Sequence, residues 1–266
     1  MFRSDWRYEI GKRFFKQFVG LAPVTRTPLV GEWFYKTFFC AEDHGRIIPI
    51  KKSIKDVENV VLPSEIVEHL VKKSSRRFIM KKCICRTAES CKKYPEDLGC
   101  IFLGEAVKSI SPGLGKTASV DEALEHLEKC ESAGLVHLIG RYKFDAVLLN
   151  AGPSDRLLSI CNCCECCCVF RVVSRIYRPA GESLRKLEGV VVSSNDNCKG
   201  CGLCAETCFV NAISLSDNKS RVSDMCRGCG RCVRACPNNA MTLTFEESSG
   251  WFERTVKPLE QIVSAP

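Results

Sequence analysis

Eight cysteines near the C-terminal end carry one spacing twice. Cys198, Cys201, Cys204 and Cys208 read C-x2-C-x2-C-x3-C, and Cys226, Cys229, Cys232 and Cys236 repeat it, with Pro237 after the last. The repeat is wider than its cysteines. Residues 198–213 align with 226–241 at an offset of 28, and eight of the sixteen positions are identical. Three thiolates on one tight loop can take three corners of an iron–sulfur cube. Gly200, Gly202, Gly228 and Gly230 let the backbone wrap such a cube and turn N–H groups toward its sulfurs. The fourth cysteine of each copy starts a helix that leads toward the other cube. A pair of all-cysteine zinc sites is the competing chemistry, but zinc motifs usually pair two separated C-x2-C knuckles rather than three cysteines in succession.

A second set lies upstream. Cys83, Cys85, Cys91 and Cys100 form C-x-C-x5-C-x8-C, and Cys161, Cys163, Cys164, Cys166, Cys167 and Cys168 fall within eight residues. Buried structural thiols do not cluster in this way, and six thiolates exceed the four corners of one cube. Three chemistries are open for these ten: one or more further iron–sulfur clusters, a structural zinc site, or thiol exchange and sulfur relay. Their grouping is open as well, because separation along the chain says little about distance in the fold. With 20 Cys against 4 His in 266 residues, thiolate-only sites are expected. The first twenty residues do not read as a secretory signal, since Asp5, Glu9, Lys12, Arg13 and Lys16 interrupt any apolar core. A cytoplasmic location is expected, and a disulfide scaffold is not.

Residues 190–246 resemble the two-cluster bacterial ferredoxins. The resemblance implies two 4Fe-4S clusters, one held by Cys198, Cys201, Cys204 and Cys236, the other by Cys226, Cys229, Cys232 and Cys208. Phe209 stands where that family usually has Pro, which removes no ligand. The upstream layout is Cys83-Ile-Cys85-Arg86, then Cys91, Cys100, residues 134–137 and residues 160–168. It is similar to a set of prokaryotic ferredoxin-like proteins in which such a region precedes a two-cluster module. This second resemblance implies anaerobic redox chemistry and names no substrate.

The elements that must position these residues are partly readable. Ser119-Val-Asp-Glu122 is a capping box opening a helix that carries Leu124 and Leu127, with Gly134 suited to its C-terminal end. Pro63 fits the first turn of a helix through about Ser74. Residues 77–85 read as a strand delivering Cys83 and Cys85, and residues 142–150 as a buried strand. Residues 190–193, 212–215 and 240–245 also read as strands, and residues 179–183 as a domain boundary. Residues 113–117 lack the Gly at 110 that a phosphate loop needs. His44, His69, His126 and His137 make no metal or catalytic pattern, and Cys40 and Cys130 read as lone buried thiols. No Ser-His-Asp or paired-carboxylate set singles out a catalytic residue. The expected fold class is α+β: a basic, aromatic region over 1–78, a Cys-rich domain over 79–178, a duplicated ferredoxin-like module over 190–246 and a C-terminal tail over 247–266.

Charge adds one asymmetry. The net charge is +8, and residues 1–82 hold 17 basic and 9 acidic residues against 22 and 22 in the remainder, so the whole excess is N-terminal. Trp6, Ile10, Phe14, Phe18 and Leu21 follow near-helical spacing, with Arg7, Lys12, Arg13 and Lys16 off that stripe. The stripe either packs on its own domain or docks residues 1–40 onto a redox partner, a larger complex or an anionic membrane surface. No nucleic acid is expected, because the basic residues are scattered and no binding motif accompanies them. The expected function is electron transfer through two or more 4Fe-4S clusters, as a subunit or docked partner of an anaerobic redox enzyme. An oxidoreductase with its own active site in residues 83–168 and a zinc-organised scaffold are the alternatives.

Overall fold

The structure, a computed structural model, describes residues 5–38, 45–49, 63–246 and 250–264. Cys40 and His44 lie outside the described residues. The described strands are β1 (Gly45–Ile48), β2 (Arg77–Met80), β3 (Ile101–Leu103), β4 (Gly115–Thr117), β5 (Val136–Gly140), β6 (Leu158–Cys163), β7 (Leu184–Lys186), β8 (Val190–Ser194), β9 (Ile213–Ser216), β10 (Lys219–Val222) and β11 (Met241–Phe245). The described helices are α1 (Asp5–Leu21), α2 (Pro28–Phe38), α3 (Pro63–Lys73), α4 (Ile84–Glu89), α5 (Val120–Ser132), α6 (Lys143–Leu149), α7 (Arg178–Glu182), α8 (Leu203–Glu206), α9 (Arg231–Ala235) and α10 (Trp251–Ser264). Strand and helix are mixed, as an α+β chain requires.

β1 to β7 form one sheet in the order β4-β2-β3-β6-β5-β1-β7. Its neighbours run antiparallel except β1 and β7. Side chains alternate between the faces of a strand, and this divides the core. Ile79, Ile101, Leu103, Leu158 and Ile160 point to one face, where α3, α5 and α10 cover them. Phe78, Met80 and Phe102 point to the other, with Tyr8 of α1 and Ala146 and Leu149 of α6. On β6 the same alternation sends Cys161 and Cys163 to the face opposite Leu158 and Ile160.

Local signals decide several boundaries. The capping box forms as expected: the Ser119 hydroxyl accepts from the Glu122 N–H at 3.1 Å, and the Glu122 carboxylate accepts from the Ser119 N–H at 2.9 Å. Gly134 follows α5 with φ +86°. Other readings need correction. The fourth cysteines start no helix: Cys208 follows α8, and Cys236 caps the C-terminal end of α9. Residues 142–150 are not a strand. Lys143–Leu149 is a helix that buries Ala146 and Leu149, three apart, and ends at Asn150 in the left-handed region. The strand expected over 77–85 stops at Met80, and Cys83 caps α4 instead. Over residues 179–183, expected to be a boundary, α7 leads into β7 at the edge of the sheet. The tail expected over 247–266 is, over Trp251–Ser264, a helix that buries Trp251, Val256 and Val263 in the main core.

Helix α1 is apolar on two sides. It buries Tyr8, Phe15 and Val19 against its own domain, and Trp6, Ile10, Phe14 and Leu21 of the expected stripe face solvent. Among the described residues, no helix is long and apolar enough to cross a membrane.

Candidate metal centres

The C-terminal repeats fold with one local conformation. Gly200 and Gly228 have φ of +67° and +66°, and Gly202 and Gly230, which cap α8 and α9, have +83° and +79°. An added Cβ at Gly228 would lie 2.7 Å from Val190 Cγ1, so glycine is required there by conformation and by space. Sulfur acceptors recur at the same offset. The Ala212 N–H donates to Cys208 Sγ and the Ala240 N–H to Cys236 Sγ, each at 3.3 Å. The Gly228 N–H donates to Cys226 Sγ at 3.3 Å. Backbone N–H groups aimed at sulfur favour the thiolate. At Cys198 the Gly200 N–H, then the Ser220 hydroxyl, lower the thiol to about 7.

Cys198, Cys201, Cys204 and Cys236 line one small cavity. In the second group Cys208, Cys226 and Cys229 pack in one apolar cluster. Burial, then the charges of Cys229, Cys226 and Cys208, push Cys232 above the ordinary thiol range, so these four are electrostatic neighbours.

The ten upstream cysteines divide into six and four. The six are Cys83, Cys85, Cys168, Cys163, Cys161 and Cys100, each an electrostatic neighbour of the next, with Cys100 in turn beside Cys83. Separate elements deliver them. Cys83 and Cys85 come from the turn into α4, and Cys168 caps a 3-10 turn. Cys161 and Cys163 share one face of β6. The register Ile101↔Ile160 sets Cys100, one step before β3, beside Cys161. The ring borders a cavity of about 470 Å³ whose other walls include Tyr8, Phe15, Phe102, Tyr142, Phe144 and Phe170. The neighbouring Cys161 and Cys168 thiols lower Cys163 to about 7.

The other four, Cys91, Cys164, Cys166 and Cys167, have sulfurs that all lie within 4.8 Å of one another. Cys91 and Cys166 are 3.8 Å apart, and Cys166 and Cys167 3.5 Å. Among the described residues this is the one group of three or more metal-ligand side chains drawn so close. The C-terminal quartets are wider.

Arg86 lies between the two upstream sets and is fully buried. Its guanidinium donates to the Asn162 carbonyl at 2.8 Å and to the Leu98 carbonyl, while Nε has no partner. Burial disfavours its charge, but Cys83, Cys164 and Cys100 outweigh it and push Arg86 above the ordinary guanidinium range. A buried cation needs anions. Among the described residues no carboxylate bridges to Arg86, and the sulfurs of Cys83, Cys164 and Cys100 are the groups that face its charge. Sulfur bound to a metal carries negative charge, so a buried cation beside both sets fits metal loading. Asn162 braces the same strand, its amide donating to the Gly99 carbonyl at 2.7 Å and its oxygen 2.8 Å from His137 Nδ1. His137 is therefore a structural residue. Cys130 is buried as expected, and burial pushes it up to about 12, so it stays a neutral thiol.

Sequence reasoning gave no role to Arg86, Glu165 or Arg231. Arg231, the first residue of α9 in the second repeat, donates to Glu165 inside the 161–168 run and to the Cys163 carbonyl. Tyr94 adds its hydroxyl to Glu165 at 2.9 Å, and Lys93 also pairs with it. The signal was present: Glu165 is the one acid in a run otherwise made of cysteines and Asn162.

Residues 191–214 and 221–242 match the family of 4Fe-4S binding domains. No curated protein and no solved structure matches the chain. The family match, with the cysteine groups around it, supports 4Fe-4S binding and an iron–sulfur electron-transfer role.

Proposed function

We propose that the chain passes electrons between two 4Fe-4S clusters in the C-terminal repeats and a third iron–sulfur centre at the six-thiol ring. Cys198, Cys201, Cys204 and Cys236 hold one cluster of the pair, and Cys226, Cys229, Cys232 and Cys208 hold the other. The cavity shared by the first quartet supports this exchange of the fourth cysteine, as do the N–H···S contacts repeated 28 residues apart. The clusters supply one-electron redox chemistry. The chain's part is to ligate them, donate N–H groups to their sulfurs and exclude water.

The tight quartet takes a single zinc ion in this reading. A tetrahedral ion with Zn–S bonds of about 2.3 Å sets its sulfurs about 3.8 Å apart. Cys166 stands near that spacing from Cys91 and from Cys167, and all four sulfurs lie within 4.8 Å of one another. A cube keeps its sulfurs farther apart, because its irons stand between them, and the C-terminal quartets are not drawn in so far. The ring of six suits a cluster, since its thiols surround a cavity rather than a point.

The observation that carries the route is one apolar packing cluster. Cys208, Cys226 and Cys229 of the repeats, Cys161 and Cys163 of the ring, and Phe170 and Phe209 all pack against its core of Ile47, Val136, Leu138 and Val210. Electrons therefore cross from the repeats to the ring through packed side chains, and the chain serves as a subunit or docked partner of an anaerobic redox enzyme. The test is iron, sulfide and zinc analysis of anaerobically purified full-length protein, read with its EPR spectrum. About eight irons are expected from the repeats, more from the ring, and about one zinc from the quartet. Changing Cys83 and Cys161 to Ser should remove only the ring iron. Iron that never exceeds the repeats' share would return the ring to thiol chemistry.

The cavity favours a second reading, in which the ring is itself the reactive site. Reduced protein that is reoxidised by a small molecule without any partner protein would support it.

A further inference from the structure

We infer that the face formed by α1, α2 and α6 docks onto a bilayer surface bearing anionic headgroups. Most large apolar side chains exposed among the described residues gather there: Trp6, Ile10, Phe14 and Leu21 of α1, Leu29, Val30 and Trp33 of α2, and Phe144 and Val147 of α6. Leu29 is 85% exposed and Trp33 63%. Phe18 links the three helices, its ring centroid 6.0 Å from Phe34 and 6.3 Å from Phe144. The face is thus continuous, and a soluble monomer rarely leaves such a patch bare.

Charge decides the occupant. Arg7, Arg13 and Lys16 are exposed on α1, flanking its outward stripe, and Arg26 follows it. Of the acids on these helices, Glu9 pairs with Lys12 and Glu32 with Lys36. The cores of protein–protein interfaces are depleted in charged residues other than Arg, Lys among them. An interfacial helix instead sets Trp, Phe and Leu beside Lys and Arg, so that the apolar side enters the headgroup region while the cations meet anionic lipid. α1 also buries Tyr8, Phe15 and Val19 on its other side, so it can lie on a membrane without leaving its domain. Ile10, Phe14 and Phe144 line the cavity beside the thiol ring, so the docking face and that centre share a wall.

The experiment is vesicle flotation of the full-length, metal-loaded protein. Vesicles of phosphatidylcholine alone are compared with vesicles carrying phosphatidylglycerol. Binding should be at least about tenfold tighter to the anionic vesicles and weaken as salt rises. The emission of Trp6 and Trp33 should shift to the blue on binding, while Trp251, 1% exposed, is already buried. Replacing Arg13 and Lys16 with Glu should lower binding about tenfold or more at unchanged iron content. Changing Leu29 and Trp33 to Ser should lower it on every vesicle. Equal binding to both vesicle types, or no binding at low salt, overturns the proposal. A stable dimer that the Leu29 and Trp33 changes dissolve also overturns it, by assigning the face to a second copy.

Discussion

Arg231 and Glu165 form a largely buried ion pair that fastens the second C-terminal repeat to the middle of the upstream cysteine run. Cys229 lies two residues before Arg231, and Cys164 and Cys166 flank Glu165. One pair thus fixes the position of one quartet relative to another. Arg231 also holds the Cys163 carbonyl, which belongs to the ring strand.

Replacing Arg231 with Met should leave Glu165 with Lys93 and Tyr94. Breaking a buried pair from one side costs about 3–5 kcal/mol, and the remaining partners place this case near the lower end. Denaturant melts should show a loss of about 3 kcal/mol, with the metal content of folded protein unchanged. Electron transfer from the repeats to the ring, followed by freeze-quench EPR, should slow. An unchanged transfer rate with the expected loss of stability would make the pair a fastener only.

Arg86 yields a sharper expectation. Its counter-charges are sulfurs, so replacing it with Met removes the cation that stabilises thiolates on both sides. Iron at the ring and zinc at the quartet should both fall, while the EPR signals of the repeats persist. Lys should rescue poorly, since one ammonium cannot span the Asn162 and Leu98 carbonyls as the guanidinium fork does. Full metal content in the Met variant would show that the sulfurs need no counter-charge from this position.

What the sequence revealed follows from the range of each interaction. The α5 capping box was legible because both of its hydrogen bonds close within four residues. The repeat was legible because one spacing occurs twice. The six-and-four division was not, because the ring joins Cys83 to Cys168 through four separate elements. One clue was local and missed: the alternation of Ile160, Cys161, Asn162 and Cys163 is that of a strand with two thiols on one face. The run from Lys143 to Leu149 was misread because its apolar residues suit strand or helix alike, and packing of Ala146 and Leu149 settles it. The α1 stripe was read correctly as a helical face, but the helix has a second apolar side, and that one packs inward.

In the proposed ligand assignment, exchange of the fourth cysteine makes a pairing that sequence neighbours would not suggest. Cys236→Ser should disturb the same EPR signal as Cys201→Ser, although 35 residues separate them. Cys208→Ser should disturb the signal affected by Cys229→Ser. Each change should cost one cluster preferentially, about four irons of eight. If Cys208 pairs with Cys201 instead, each repeat closes its own quartet and the cavity shared by Cys198, Cys201, Cys204 and Cys236 has another role.

Trp251 ties the repeats to the sheet domain. It is 1% exposed, and its ring meets Phe245 of β11 edge-on at 4.7 Å and Phe252 at 5.9 Å. Val190 of β8 and Leu243 and Phe245 of β11 join the same core as Leu70, Ile101 and Val263. The β8–β11 pair therefore finishes the sheet domain's core as well as framing the repeats. Trp251→Ala should cost about 3–5 kcal/mol, the usual loss for a large aromatic cut back in a core. Cluster absorbance and far-UV circular dichroism should fall together in one melt of the wild-type protein, and together at a lower temperature in the variant. An isolated 190–246 fragment should still take up iron, since its eight cysteines are intact, but lose it at a lower temperature than the full chain. Two well-separated transitions in the wild-type melt would mean that the repeats stand alone, with Trp251 supporting only the sheet.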